Sequence, residues 1–217
     1  METALVCLIA YGVYSLTAGL ALLAMTDAAK TTSAVQIQAH GVAYIVASPL
    51  TIAVLWVAIR RARRDFAEYL ALNWPSSGEL LRALAMMAII MLAESLAEYV
   101  IGVRDSSPDP YAGASQAEGF LILLIGGCIA APVMEEFVLR GFMFRGWSQS
   151  FLGPVKSIVL TSVLWGMMHT QYDWTGRFSI FITGLALGYF RWRSNSTWLT
   201  VMVHSTINIF LFFTIDV

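Results

Sequence analysis

The sequence predicts an all-α protein, a polytopic transmembrane helical bundle of about seven spans. Three observations carry that prediction. Hydrophobic residues make up 58% of the 217-residue chain and charged residues only 12%, whereas a soluble domain sits nearer half and a quarter. Apolar runs recur at lengths that reach or approach the ~20 residues a helix needs to cross a bilayer core. Lys and Arg collect in alternate connecting segments, the asymmetry that orients membrane helices. A formal net charge of −1 gives no electrostatic footprint for a nucleic-acid partner. Cys7 and Cys128 both lie in apolar runs, without a neighbouring cysteine or histidine at metal-ligand spacing. They read as small buried hydrophobes.

Taken in order, the spans fall at residues 4–25, 38–59, 81–103, 119–140, 157–169, 178–190 and 198–214. The first has no Lys or Arg ahead of it and runs too long for a signal h-region, so it reads as a retained span. The fifth and sixth are short, which suits helices that wall a cavity inside a bundle better than helices alone in lipid. Arg60, Arg61, Arg63 and Arg64 form the densest basic cluster, which places the end of the second span in the cytoplasm. Counting outward, Arg145 and Lys156, then Arg191 and Arg193, also fall on the cytoplasmic side. Asp105, Asp109 and Glu118 fall outside. Lys30, Arg104 and Arg177 are the exceptions. The N-terminus is then cytoplasmic and the C-terminus outside, as in an integral protein of a bacterial cytoplasmic membrane.

Ionisable residues inside such spans are costly, face an interior, and mark function. Glu135 and Glu136 are adjacent acids deep in the fourth span, followed by Arg140. In α-helical register Glu136 and Arg140 are i and i+4 and share a face, while Glu135 is turned about 100° away. One carboxylate tethered and the other available suits a catalytic base with a supporting neighbour. His169 lies four residues after Trp165, and Asn208 four after His204. At 1.5 Å per residue, Glu135 lies roughly 15 Å above Arg145, His204 roughly 17 Å above Arg193 and His169 roughly 20 Å above Lys156. Three ionisable residues on three spans therefore reach similar depth.

The motifs EEFVLR at 135–140, WGMMH at 165–169 and HSTIN at 204–208 resemble those of the CAAX-protease and bacteriocin-processing (CPBP) family. Those read EExxxR, FxxxH and HxxxN or HxxxB in the same order. Trp165 stands where the family usually has Phe and keeps an aromatic wall. The resemblance makes 118–217 a CPBP-like catalytic core and leaves 1–117 as N-terminal helices without a family handle. It implies an intramembrane endopeptidase acting on a peptide or protein substrate that arrives from the membrane or its surface. In that reading Glu135 activates water and His169 assists. His204 and Asn208 stabilise the developing oxyanion, while Glu136, Arg140 and Trp165 support. The family has been described as both glutamic and metallo-type. Glu135, His169 and His204 could hold Zn²⁺ with an open position. An Asn on the face of His204 suits an oxyanion donor better than a zinc ligand, which favours chemistry without a cofactor.

Blander readings compete. A lone intramembrane histidine more often bonds a neighbouring helix, and a buried Glu–Arg pair more often fixes packing. Glu94 and Glu98 are i and i+4 in the third span, with Glu94 roughly 18 Å above Arg82. Glu94 is a possible cavity residue, or simply sits where the span is wet. Among other functional classes, a non-catalytic scaffold or bacteriocin-immunity-type protein on the same fold predicts decay of the motif positions, which are intact. A small ion transporter predicts a repeat or paired broken helices, neither of which is evident.

Overall fold

The computed structural model describes residues 2–25, 33–103 and 119–214, all in helices and their connections, with no strand among them. Among the described residues eight helices follow one another: α1 (Glu2–Met25), α2 (Ser33–Arg61), α3 (Phe66–Leu70), α4 (Ser77–Ile101), α5 (Phe120–Ser148), α6 (Gly153–Met168), α7 (Trp174–Ser194) and α8 (Thr197–Thr214). Each predicted span coincides with one of the longer helices. Of these, α1, α2 from Gln38, α4, α5 and α8 are long and apolar enough to cross a membrane. The two short predicted spans lie in α6 and α7, helices without that length and apolarity. The acidic loop expected to carry Asp105, Asp109 and Glu118, together with Lys30, Arg104 and the last three residues, lies outside the described residues.

The chain divides into two compact units that interleave along the sequence. In the first, Met1–Tyr69, Asp109–Val138 and His204–Val217, α1 packs along α2, and α2 packs on α5. The closest approach is backbone against backbone. A Cβ on Gly41 would lie 2.8 Å from the Ile122 carbonyl carbon, and one on Gly126 would lie 2.5 Å from the Gly41 oxygen. Small residues at such crossings let helices gain dispersion contacts where lipid offers no hydrophobic drive. Phe212 of α8, fully buried, closes this core against Leu123 and Cys128, with the Phe120 ring 5.2 Å from its own. Leu8, Leu16, Leu20 and Leu23 of α1 stay exposed, as a lipid-facing surface requires.

The second unit, Leu70–Pro108 and Leu139–Val203, is built on the α6–α7 pair. Gly184 lets Ser162 approach, and Gly188 lets Ile158 approach, at distances a Cβ would turn into overlap (2.9 and 2.7 Å). Ser157, Thr161 and Ser162 return their hydroxyls to carbonyls one turn back, so the buried faces carry no unpaired hydroxyl. Before α4, Ser76 and Glu79 form a reciprocal capping box. At the other end Gly102 takes φ +74° and returns its N–H to Glu98. The α7–α8 turn is tied to the segment after α3: Asn73 donates to the Asn195 carbonyl, Ser196 to that of Asn73, and Thr197 to that of Leu70.

The long helix α5 is not regular. Gly126–Ala130 and Phe137–Met143 are π-helical, and the α-helical segment Ala131–Glu136 lies between them. Pro132 gives a physical reason for the first. It has no N–H and its ring crowds the carbonyl four residues back; widening the preceding turn to i→i+5 bonding relieves both. Such π segments inside α-helices recur at functional sites.

Candidate active site

The segment Ala131–Glu136 holds both motif acids, and they diverge. Glu136 is fully buried. Its Oε1 lies 2.9 Å from Nδ1 of His204, which is itself 5% exposed. A carboxylate oxygen can only accept here, so His204 donates through Nδ1–H, which sets its tautomer when neutral. A carboxylate that fixes an imidazole's tautomer and orientation is a recurring device of hydrolytic sites. One turn further along α8, Asn208 donates an amide N–H to the Gly127 carbonyl at 3.0 Å. Gly127 lies in the first π segment, where the backbone ladder is locally rearranged and a side-chain donor can enter it. Thus α8 grips α5 on both sides of Pro132.

Glu135, half-buried, lies on a different side of α5, within electrostatic reach of the phenols of Tyr14 on α1 and Tyr44 on α2. The sequence reading missed these tyrosines. They sit in apolar spans with no acid at i±4, and only the packing of α1 and α2 brings them to Glu135. It missed Gly127 as well, although Pro132 gave a local signal that the helix there is broken.

In the second unit Arg140 is 1% exposed. Its guanidinium lies 4.4 Å from the centroid of the Trp165 ring, and Nη2 donates to the Gly184 carbonyl at 3.4 Å. A desolvated cation over indole is a favourable pair. The i, i+4 argument for Arg140 and Glu136 assumed α-helical register, but a π segment begins at Phe137, directly after Glu136. The partner the spacing did not indicate is His204, 68 positions along the chain from Glu136.

Trp165, buried, meets His169 edge to face at 5.3 Å. His169 ends α6 at φ −82°, ψ 62°, and its Nδ1 lies 2.8 Å from the Trp165 carbonyl oxygen. Because a carbonyl only accepts, His169 is also the Nδ1–H tautomer when neutral, with Nε2 bearing the lone pair. Arg177 closes the following turn, donating to the carbonyls of Tyr172 and Thr170. Glu94 lies on α4 in this unit, half-buried, with Oε1 buried and lacking a hydrogen-bond partner among the described residues. Among the described residues no three His, Cys, Asp or Glu side chains form a group that could hold a metal ion.

Fold and site together define a helical integral membrane protein with a buried carboxylate–histidine pair on an irregular helix. Residues 117–210 match the family described as type II CAAX prenyl endopeptidase Rce1-like. That stretch contains all three motifs, so the family resemblance read from them is matched over those residues. No curated protein and no solved structure matches the chain.

Proposed function

We propose that the protein is an intramembrane endopeptidase that hydrolyses a peptide bond with water activated by Glu135. The observation that carries this reading is the 2.9 Å hydrogen bond from His204 to Glu136, found inside an Rce1-like domain. A fully buried acid whose function is to orient an imidazole leaves its neighbour Glu135 as the base. Half-burial and the phenols of Tyr14 and Tyr44 give a water held beside Glu135 a dry, polar setting. As the tetrahedral intermediate forms, charge develops on the former carbonyl oxygen. His204 in its imidazolium form, which carries an Nε2–H, and the second amide N–H of Asn208 are the donors suited to meet it. His169, its tautomer set by Trp165, presents Nε2 to assist proton transfer. Arg140 acts through the packing it makes with Trp165.

The substrate is a peptide or protein presented at the membrane. A prenylated CAAX terminus is the class named by the family description, and a leader or anchor peptide meets the same chemical demands. Orientation by Lys and Arg puts the N-terminus in the cytoplasm and the C-terminus outside a bacterial inner membrane. The mechanism needs no metal.

The test is cleavage of fluorogenic membrane-anchored peptides by purified protein, with and without chelator. Glu135→Gln keeps shape and loses basicity, so it abolishes cleavage without lowering the melting temperature. A Glu135→Gln enzyme that cleaves at the normal rate overturns the reading in favour of a non-catalytic scaffold. Activity lost on chelation and restored by Zn²⁺ would instead make Glu135, His169 and His204 metal ligands.

A further inference from the structure

Two arginines outside the three motifs lie together in the second unit. Arg191, on α7 just past the sixth predicted span, is 2% exposed. Its Nη1 donates to Asn195 Oδ1 at 3.0 Å, and its guanidinium carbon lies 5.5 Å from the centroid of the Phe144 ring. Phe144 precedes Arg145 at the end of α5, and Arg145 is half-buried. The Nε atoms of both arginines are buried and have no hydrogen-bond partner among the described residues. Burial, and then the charge of Arg145, pull the Arg191 guanidinium from 12.5 down to about 10, where it is still a cation at neutral pH. Two neighbouring cations, one of them almost wholly desolvated and both with an unsatisfied N–H, form an arrangement that protein interiors avoid unless something compensates it.

We propose that Arg145 and Arg191 form a binding site for a phosphate group, with Asn195 setting the orientation of Arg191 and Phe144 supplying an apolar wall. The edge of a guanidinium is a planar fork of N–H donors matched to oxyanions. One fork satisfies the two oxygens of a carboxylate. Two forks from different helices suit a tetrahedral group with three or four acceptor oxygens, and its charge relieves their mutual repulsion. Location narrows the source. Both arginines sit at C-terminal helix ends, which α6 brings out on one side of the membrane, and the exposed Trp192 beside Arg191 is typical of the interface. Basic pockets between helices at this level take phospholipid headgroups; a soluble phosphate group offers the same oxygens. The proposal does not depend on the protease reading.

The experiment uses the full chain, purified and delipidated in a neutral detergent. Its melting temperature is followed against inorganic phosphate at constant ionic strength, and in vesicles of phosphatidylcholine with or without phosphatidylglycerol. Native mass spectrometry counts retained phospholipid. Saturating phosphatidylglycerol should raise the midpoint by about 5–10 °C. Arg145→Gln should remove most of that rise and lower lipid retention about tenfold, whereas Arg193→Gln, at the exposed neighbouring position, should leave both unchanged. Arg191→Gln should act like Arg145→Gln. If it does not fold, the half-buried Arg145 still decides. A rise given fully by inorganic phosphate, and not increased by lipid, assigns the site to a soluble phosphate group. No rise with either probe overturns the proposal. So does a rise unaltered by Arg145→Gln, or one that Arg193→Gln reduces equally.

Discussion

Replacing Glu136 by Gln tests the centre of the site. The amide keeps the volume of a fully buried side chain and can still accept from His204 Nδ1, so no cavity opens and the imidazole keeps a partner. What changes is charge. A hydrogen bond to an ionised group contributes about 1.5–3 kcal/mol and a neutral one about 1 kcal/mol, so the substitution weakens the hold on His204 by roughly 1–2 kcal/mol. If His204 stabilises the transition state through Nε2, that loss appears in kcat as about a 5-fold to 30-fold decrease with KM little changed. Glu136→Ala is a different perturbation. It strands a buried imidazole N–H and leaves a void, for a stability loss on the order of 2–5 kcal/mol.

Non-additivity decides the matter. A residue that acts through His204 should have little further effect once His204 is gone, so Glu136→Gln added to His204→Ala should lower kcat by less than about twofold. The assay is peptide cleavage by the four proteins of the cycle, with melting temperatures recorded beside it. Full independence of the two effects, or an unchanged kcat in Glu136→Gln, refutes the orienting role.

Two further outcomes follow from the same geometry. Asn208→Ala removes both the oxyanion donor and the clamp on Gly127. It should lower turnover by roughly a hundredfold to a thousandfold, while Asn208→Asp, which has no N–H to give, should not restore it in the cleavage assay. Arg140→Ala takes a buried cation from the Trp165 ring and should reduce stability in detergent by about 2 kcal/mol or somewhat more, the scale of a desolvated cation–π pair. Arg140→Lys should recover only part of this, because an ammonium cannot stack. A fully stable but inactive Arg140→Ala protein would move the arginine into the chemistry.

The helical class and the positions of the spans were legible because bilayer thickness imposes a length on apolar runs, and that constraint acts on sequence directly. The three motifs were legible because each lies within one helical turn, where spacing reports neighbourhood. Contacts that depend on packing between helices were not. Tyr14 and Tyr44 beside Glu135 have no local signature, and for Gly127 Pro132 signals only that the helix is broken, not that Asn208 meets it. The Glu136–Arg140 spacing was read in α-helical register, whereas the backbone through 137–143 is π-helical. Arg145 and Arg191 were visible only as charges that orient a membrane protein. Their shared surroundings came from the fold.

Glycines in the first unit give a final test in which one substitution should act with opposite signs. Glycine to alanine in a helix ordinarily stabilises by about 0.5–1 kcal/mol. Gly19 of α1 has nothing within 4 Å of where its Cβ would lie, so Gly19→Ala should show that gain. Gly126 faces the backbone of α2, and its Cβ would sit 2.5 Å from the Gly41 oxygen and 2.9 Å from the Gly41 Cα. Backbone atoms cannot swing aside as a side-chain end can, so α2 and α5 must separate. Overpacking of this kind costs about 1–3 kcal/mol, which exceeds the propensity gain and leaves Gly126→Ala the less stable protein. The displacement also reaches the site, because α2 carries Tyr44 toward Glu135 and Gly127 anchors Asn208. Gly126→Ala should therefore lose turnover as well as thermal stability, and Gly19→Ala neither. Equal melting temperatures and equal cleavage rates for the two variants would show that the α2–α5 contact does not hold the site in shape.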